Sequence, residues 1–160
     1  MKKAAILVTV ILLFSFSSVH ADDGKATPQD VYNLVLKAYE VLNALGDSAL
    51  PAFNDPHGEF VYKDTYVFVQ RCPSEMMAHP FALDKLKGVD LNKFPFNAAM
   101  CKAASQPSGG WIAYDWPKPG ESAPSRKVSF AIAVEGTPYS VVAGIYNDTE
   151  DIEELNKSLR

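Results

Sequence analysis

The sequence predicts an α+β domain in which one long N-terminal helix packs on a five-stranded antiparallel sheet. Three observations lead to this prediction. Apolar residues recur at helical spacing after Thr27, the period changes to two from Phe60, and the later strand segments follow one another through tight turns. Because a mixed segment containing Gly88 and Pro95 separates the second strand from the third, we expect a helical excursion between them.

The composition is that of an ordinary folded domain. The chain has 160 residues, of which 48% are hydrophobic and 21% are charged, which excludes a disordered tail and a coiled coil. With a net charge of −4 the chain has no basic footprint for nucleic acid or an anionic membrane, so no nucleic-acid partner is expected. Two cysteines are too few for an all-cysteine zinc site, and we expect neither a metal nor a cofactor.

The N-terminus has the three parts of a secretory signal peptide. Lys2 and Lys3 precede an apolar run over residues 4–16, and Val19 and Ala21 are small residues at positions that a signal peptidase reads. An uncleaved anchor is disfavoured, because a membrane-spanning helix needs about 20 apolar residues. We therefore expect residues 1–21 to be a cleaved signal peptide and residues 22–160 to form a single domain in the periplasm.

Export determines how the two cysteines, Cys72 and Cys101, are interpreted. In an oxidising compartment an isolated pair most often forms a structural disulfide, and we predict that bridge here. A redox-active pair is the alternative, but it usually has the Cys-x-x-Cys spacing that this chain lacks.

The first helix is predicted by its start and by its apolar stripe. Thr27 can cap a helix and Pro28 is tolerated in a first turn, while Gly46 marks the end. A stripe of this kind needs a surface to pack against. Its members are Val31, Leu34, Val35, Ala38, Val41, Leu42 and Leu45.

Alternation and a high content of β-branched and aromatic residues predict the strands. The first two form a hairpin through the turn at residues 71–74, and the last three form a meander. Residues 83–105 form the excursion, which leaves room for a small cavity on the sheet face that the long helix does not cover. The strands are expected within residues 60–69, 75–79, 111–116, 127–134 and 139–146, and a closing helix over residues 148–160.

A block rich in aromatic residues and proline runs from residue 109 to residue 120 and contains Trp111, Tyr114 and Trp116. It resembles the type 2 single Cache domains, which are PAS-like extracytoplasmic sensor modules found mostly on bacterial chemoreceptors and sensor kinases. Similar segments lie at residues 77–80, 86–91, 125–130 and 143–146. The turn at residues 71–74 departs from the family's Asp-x-x-Gly pattern. No membrane span follows the domain, so we expect a free-standing, soluble member.

The resemblance implies a Cache-like ligand-binding domain that binds a small metabolite, commonly a short carboxylate such as acetate, propionate, lactate or pyruvate. Such a ligand needs an apolar box, one cation and a few neutral donors. Lys127 and His79 are the candidate partners of the anion. The candidate box residues are Tyr66, Phe68, Met77, Trp111, Tyr114 and Trp116.

Each candidate also has a structural interpretation. Since side chains alternate along a strand, Trp111 cannot share a face with Tyr114 and Trp116, and we favour the latter two for the pocket. His79 can instead bond to backbone at a strand end. Lys127 can instead be solvated at the start of its strand.

The sequence lacks the motifs of several common enzyme classes, including Gly-x-Ser-x-Gly, His-Glu-x-x-His and glycine-rich phosphate loops. We therefore predict a sensor-type binding domain rather than an enzyme. Two alternatives are a ligand-free module that docks on a membrane receptor or envelope protein through its long helix, and a small envelope enzyme. We further expect association with a membrane chemoreceptor or sensor kinase, and pairing of two copies through the N-terminal helix.

Overall fold

The computed structural model describes residues 24–146 and 149–159. The predicted signal peptide over residues 1–21 therefore lies outside the described residues. Within the described ranges, no helix is long and apolar enough to cross a membrane. These residues form an antiparallel sheet with helical segments packed on both of its faces, in agreement with the predicted α+β class.

Helix α1, Pro28–Leu45, begins where the sequence predicts because Thr27 caps it. The Thr27 hydroxyl accepts a hydrogen bond from the N–H of Asp30 at 3.1 Å, and the Asp30 carboxylate accepts one from the N–H of Thr27 at 2.9 Å. The helix ends at Gly46, whose φ of 55° favours glycine, and a 3₁₀ segment, Gly46–Asn54, follows. The buried members of the predicted stripe are Val31, Leu34, Val35, Ala38 and Leu42.

The sheet contains the five predicted strands and a two-residue sixth strand at its edge. The strands are β1 Val61–Tyr62, β2 Thr65–Arg71, β3 Glu75–Ala78, β4 Gly110–Pro117, β5 Pro124–Ala133 and β6 Tyr139–Tyr146. The pairings are antiparallel in the order β4-β5-β6-β2, and both β1 and β3 pair with the other side of β2. Because β3 and β4 lie at opposite edges, the chain between them crosses the sheet.

This crossing is the predicted excursion, and it covers the sheet face opposite α1. It contains α2 Leu83–Leu86, a 3₁₀ turn Leu91–Lys93 and α3 Asn97–Ala104, and a short helix α4 Ile152–Lys157 lies after β6. Met100 of α3 packs with Phe68 and Tyr114 of the sheet. The face under α1 forms the larger core.

A disulfide between Cys72 and Cys101 confirms the predicted pairing and joins the β2–β3 turn to α3. The two cysteines are 29 residues apart in the sequence, so the bridge ties the excursion to the sheet. Closing a loop of this length restricts the unfolded chain and contributes about 3 kcal/mol in the chain-entropy account.

Replacing both cysteines with serine (Cys72→Ser with Cys101→Ser) is expected to lower the thermal midpoint by about 10 °C, because the unfolded chain regains its freedom. Scanning calorimetry of the oxidised wild type, the reduced wild type and the double variant measures the effect. The reduced wild type serves as the control and should melt with the variant. A midpoint that does not change on reduction would contradict a stabilising bridge.

Candidate ligand-binding site

A cavity lies between the sheet and the excursion, and the centres of water-sized molecules can occupy about 30 Å³ of it. Phe96 stacks on Tyr114 with 4.3 Å between ring centroids, and Phe94 meets Trp116 edge to face at 5.4 Å, so aromatic contacts close this side. The sheet contributes Phe68, Gln70, Met76, Tyr114, Trp116 and Lys127 to the wall, and the chain after β3 contributes His79, Leu86, Leu91, Phe94, Phe96, Asn97 and Met100.

The pleat of β4 decides which of its aromatic residues reach the cavity. Tyr114 and Trp116 line it, as the sequence favoured. Trp111 instead packs in the core under α1, with its ring 5.3 Å from that of Phe130. The structure therefore corrects the inclusion of Trp111 among the pocket residues, because its side chain lies on the opposite face of the sheet.

A β-bulge in β3 reverses which of its two methionines faces the cavity. Val69 pairs with Ala78, but Gln70 pairs with Met76, so Met77 is the extra residue of β3. Gln70 and Met76 consequently share the cavity face, whereas Met77 packs against the core on the α1 side. The structure corrects the predicted Met77 to Met76.

Lys127 is the cation of the cavity and is only 1% exposed, which excludes the alternative of a solvated lysine. Its neighbours in register are Tyr114 on β4 and Tyr146 on β6. The Nζ atom lies 4.1 Å from the ring centroid of Tyr66, 4.8 Å from that of Tyr146 and 5.5 Å from that of Phe68. Among the described residues, Lys127 forms no ion pair with a carboxylate. Burial lowers the pKa of Lys127 to about 7.

His79 has both of the roles considered from the sequence. It bonds to backbone at the end of a strand, and it also lines the cavity. Its Nδ1 accepts hydrogen bonds from the N–H groups of Phe81 at 3.1 Å and Ala82 at 3.0 Å, so Nδ1 carries no proton. Burial, and to a smaller extent the charge of Lys127, lowers the pKa of His79 to about 3. The imidazole is therefore neutral, its proton lies on Nε2, and this N–H is the donor that His79 retains for the cavity that it lines.

Tyr66 contacts the ammonium group of Lys127 but does not line the cavity. The hydroxyl of Tyr146 donates its one proton to the carbonyl of Pro117 at 3.1 Å, so in the 2.8 Å contact between the two tyrosines Tyr66 is the donor. The hydroxyl proton of Tyr66 is thus used inside the protein, and the ring of Tyr66 is the part that contacts Lys127. Tyr66 is not among the side chains that line the cavity, which corrects its predicted place in the apolar box.

Several wall residues were not predicted from the sequence. Gln70 is buried, and its Nε2 lies 3.3 Å from the sulfur of Cys72, while the Nδ2 of Asn97 donates to the carbonyl of Pro73. Gln70 was identifiable, because it follows Phe68 by two positions on the same strand. Phe94 and Phe96 flank a proline in the excursion, and their place over β4 has no local sequence signal. The described residues contain no cluster of side chains suited to holding a metal ion.

A family model and several relatives match this chain. The model described as single Cache domain 2 matches residues 5–159. The chain belongs to this family. The domain is therefore a Cache sensor domain homologous to the sensing domains of chemoreceptors.

The relatives of this Cache domain include proteins described as chemotaxis proteins or chemosensory domains. The methyl-accepting chemotaxis protein McpP of Pseudomonas putida is 26% identical over 167 residues, which cover 94% of this chain and 30% of that receptor. A solved structure described as the structural basis for carboxylic acid recognition by a Cache chemosensory domain is 25% identical, with a TM-score of 0.56, and the match covers 75% of this chain and 88% of that one. A methyl-accepting chemotaxis protein from Vibrio parahaemolyticus has the same fold, with a TM-score of 0.55 and 20% identity over 77% of this chain and 85% of that one.

Proposed function

We propose that this Cache domain is a periplasmic sensor module that reversibly binds a short organic acid, such as acetate, propionate, lactate or pyruvate, and does not convert it. The observation that carries the proposal is Lys127, a buried ammonium that pairs with no carboxylate of the described residues. A buried cation without an anion from its own chain favours an anion from outside. The ring faces of Tyr66 and Tyr146 hold the cation in place.

The other groups of the cavity suit the rest of such a ligand. The Nε2–H of His79 is a neutral donor for a carboxylate oxygen, and the Phe68 and Trp116 side chains give a short hydrocarbon tail an apolar surface. The size also agrees. About 30 Å³ is room for two or three water-sized groups, since one water needs about 10–15 Å³ on this measure. The small enclosed space favours the shortest acids of this class.

The relatives support the class of ligand and the compartment. One similar structure is described as recognising carboxylic acids through a Cache domain, and another as a periplasmic sensor domain of a chemotaxis protein. Because the chain is similar to the methyl-accepting chemotaxis protein McpP, association with a membrane chemoreceptor or a sensor kinase is also proposed. Pairing of two copies through α1 is a separate proposal, and sedimentation velocity tests it.

The two tryptophans of the chain provide the test, because Trp116 lines the cavity and Trp111 lies on the other face of the sheet. In Trp111→Phe the remaining Trp116 is expected to change its fluorescence saturably as acetate is added. In Trp116→Phe the remaining Trp111 should not respond. Thermal shift of both variants checks binding independently, since a ligand at a hundredfold excess over Kd adds about 2.7 kcal/mol and raises the midpoint by several degrees.

The wild type, unfolded and refolded to remove any bound molecule, is then compared across short acids, amino acids and amines. A midpoint that rises only with short carboxylates supports the proposal. A response to amines and not to acids would overturn the choice of ligand. The absence of any response would favour the ligand-free docking module instead.

A further inference from the structure

We propose that the same cavity has a second chemistry beyond the reversible binding of an acid: Lys127 captures short aldehydes covalently as an imine (a Schiff base). The amine nitrogen, Nζ, would bond to the carbonyl carbon of a neutral aldehyde of one to three carbons. The proposal does not depend on anion binding. It depends on how the cavity presents a lysine and a hydrogen-bond donor to one small molecule.

The first requirement is an amine that is free to react. Lys127 is 1% exposed, lines the cavity and forms no ion pair with the described carboxylates, so its Nζ is not held by an acidic side chain. Its burial removes the Nζ from water, and a lysine desolvated in this way is a better nucleophile because its neutral form is favoured. With its pKa lowered to about 7, about half of Lys127 is an uncharged amine at neutral pH.

The second requirement is a group that polarises the carbonyl. Both His79 and Lys127 lie against the ring of Tyr66, with the His79 ring centroid at 5.0 Å and the Lys127 Nζ at 4.1 Å. Because Nδ1 of His79 is occupied by two backbone N–H groups, its Nε2–H is available as a donor to a carbonyl oxygen in the same cavity. A neutral imidazole in this role draws electron density from the carbonyl without requiring a charge.

The third requirement concerns the electrophile itself. Of the side chains that line the cavity, Lys127 is the one lysine or arginine. A carboxylate on the same molecule would therefore compete for the ammonium form of Lys127 and oppose its reaction as an amine. A short uncharged aldehyde avoids this competition, and it fits a volume of about 30 Å³.

The reaction balances without an added oxidant or reductant. Lys127 first releases one proton to solvent, and the neutral amine then attacks the carbonyl carbon while a proton moves from nitrogen to the former carbonyl oxygen. The proton released at the start returns to this oxygen from solvent, and the carbinolamine loses the oxygen as water. The product is a protonated imine, so the net change is lysine ammonium plus aldehyde giving iminium plus water. The imine is again a cation among the rings of Tyr66 and Tyr146, and addition of water reverses the reaction.

Trapping on the wild-type protein tests the proposal and avoids any variant that fails to fold. The protein is incubated at pH 7 with acetaldehyde and cyanoborohydride, which reduces an imine to a stable N-ethyl group, and peptide mapping by mass spectrometry locates the label. Lys127 is expected to be labelled at least tenfold faster than the exposed Lys102 of α3. Excess acetate should protect Lys127 and leave the labelling of Lys102 unchanged.

The outcomes separate this proposal from that of acid binding, because the acetate-induced thermal shift is measured on the same sample. Labelling of Lys127 no faster than Lys102, with acetate binding intact, overturns imine formation and leaves acid binding standing. Selective labelling of Lys127 without an acetate shift supports imine formation and overturns acid binding. In Lys127→Arg, which keeps a cation but cannot form the imine, the fast label should disappear.

Discussion

Replacing Lys127 with methionine is expected to weaken acetate binding by about 100-fold or more and, at pH 7, to raise the thermal midpoint of the ligand-free domain. Methionine keeps most of the apolar length of the lysine and fills the same space among the aromatic rings. It removes the ammonium that the ligand needs. The same ammonium is costly to bury when no ligand is bound, so one substitution moves affinity and stability in opposite directions.

The stabilising effect of Lys127→Met has a defined pH dependence. The pKa of Lys127 is about 7 in the folded domain and is lowered from an ordinary value of 10.5, so the unfolded chain holds this proton more tightly. Between these two values the unfolded state binds more protons, and the stability of the wild type rises with pH there. Below pH 7 the lysine is charged in both states and the cost of burial is complete. The advantage of methionine is therefore largest below pH 7 and shrinks as the pH rises above it.

Isothermal titration with acetate and calorimetry at pH 6, 7 and 9 measure the two effects. Lys102→Met is the matched control, since Lys102 is exposed on α3 and outside the cavity wall, and it should change neither affinity nor the pH profile of the midpoint. A Lys127→Met protein that binds acetate as the wild type does would contradict the role of Lys127. One that melts lower than the wild type below pH 7 would contradict an unpaired buried cation.

The fold is largely predictable because its determinants are local. Thr27 and Pro28 start α1 through a side-chain cap and a fixed φ, both of which depend on a few neighbouring residues. The run of β-branched and aromatic residues at the start of Thr65–Arg71 marks β2 in the same way. Alternation along β4 also separates Trp111 from Trp116 before any tertiary contact is known.

The cavity wall is less predictable because it depends on pairings between distant segments. The bulge that puts Met76 opposite Gln70 lies within the pairing of β3 with β2, and the four residues of β3 give no local signal of it. Phe94 and Phe96 reach the cavity only because the excursion crosses the sheet. The burial of Lys127 follows from its register between two tyrosine-bearing strands, whereas the residues before it, Ser125 and Arg126, are polar.

The affinity of the wild type for acetate is expected to fall about fivefold from pH 7 to pH 8 and by about 50-fold between pH 7 and pH 9. Acetate is ionised throughout this range, so the change in affinity comes from titration of a group on the protein. The pKa of Lys127 is about 7 in the ligand-free domain, and a bound carboxylate beside it raises that pKa because it favours the ammonium. Well above pH 7, the binding of each acetate is therefore accompanied by the uptake of about one proton.

Titrations in two buffers of different ionisation enthalpy, at pH 6 and at pH 8, measure this proton uptake directly. Uptake should be near zero at pH 6, where Lys127 is already charged, and near one proton at pH 8. His79 adds nothing in this range, because its pKa of about 3 leaves it neutral at both values. Lys127→Arg is the control, since its charge is permanent and any residual affinity should not vary from pH 7 to pH 9. If the affinity of the wild type stays constant from pH 7 to pH 9, acetate does not bind at Lys127. No other side chain that lines the cavity has a pKa shown to lie near 7, so only Lys127 would produce the expected change.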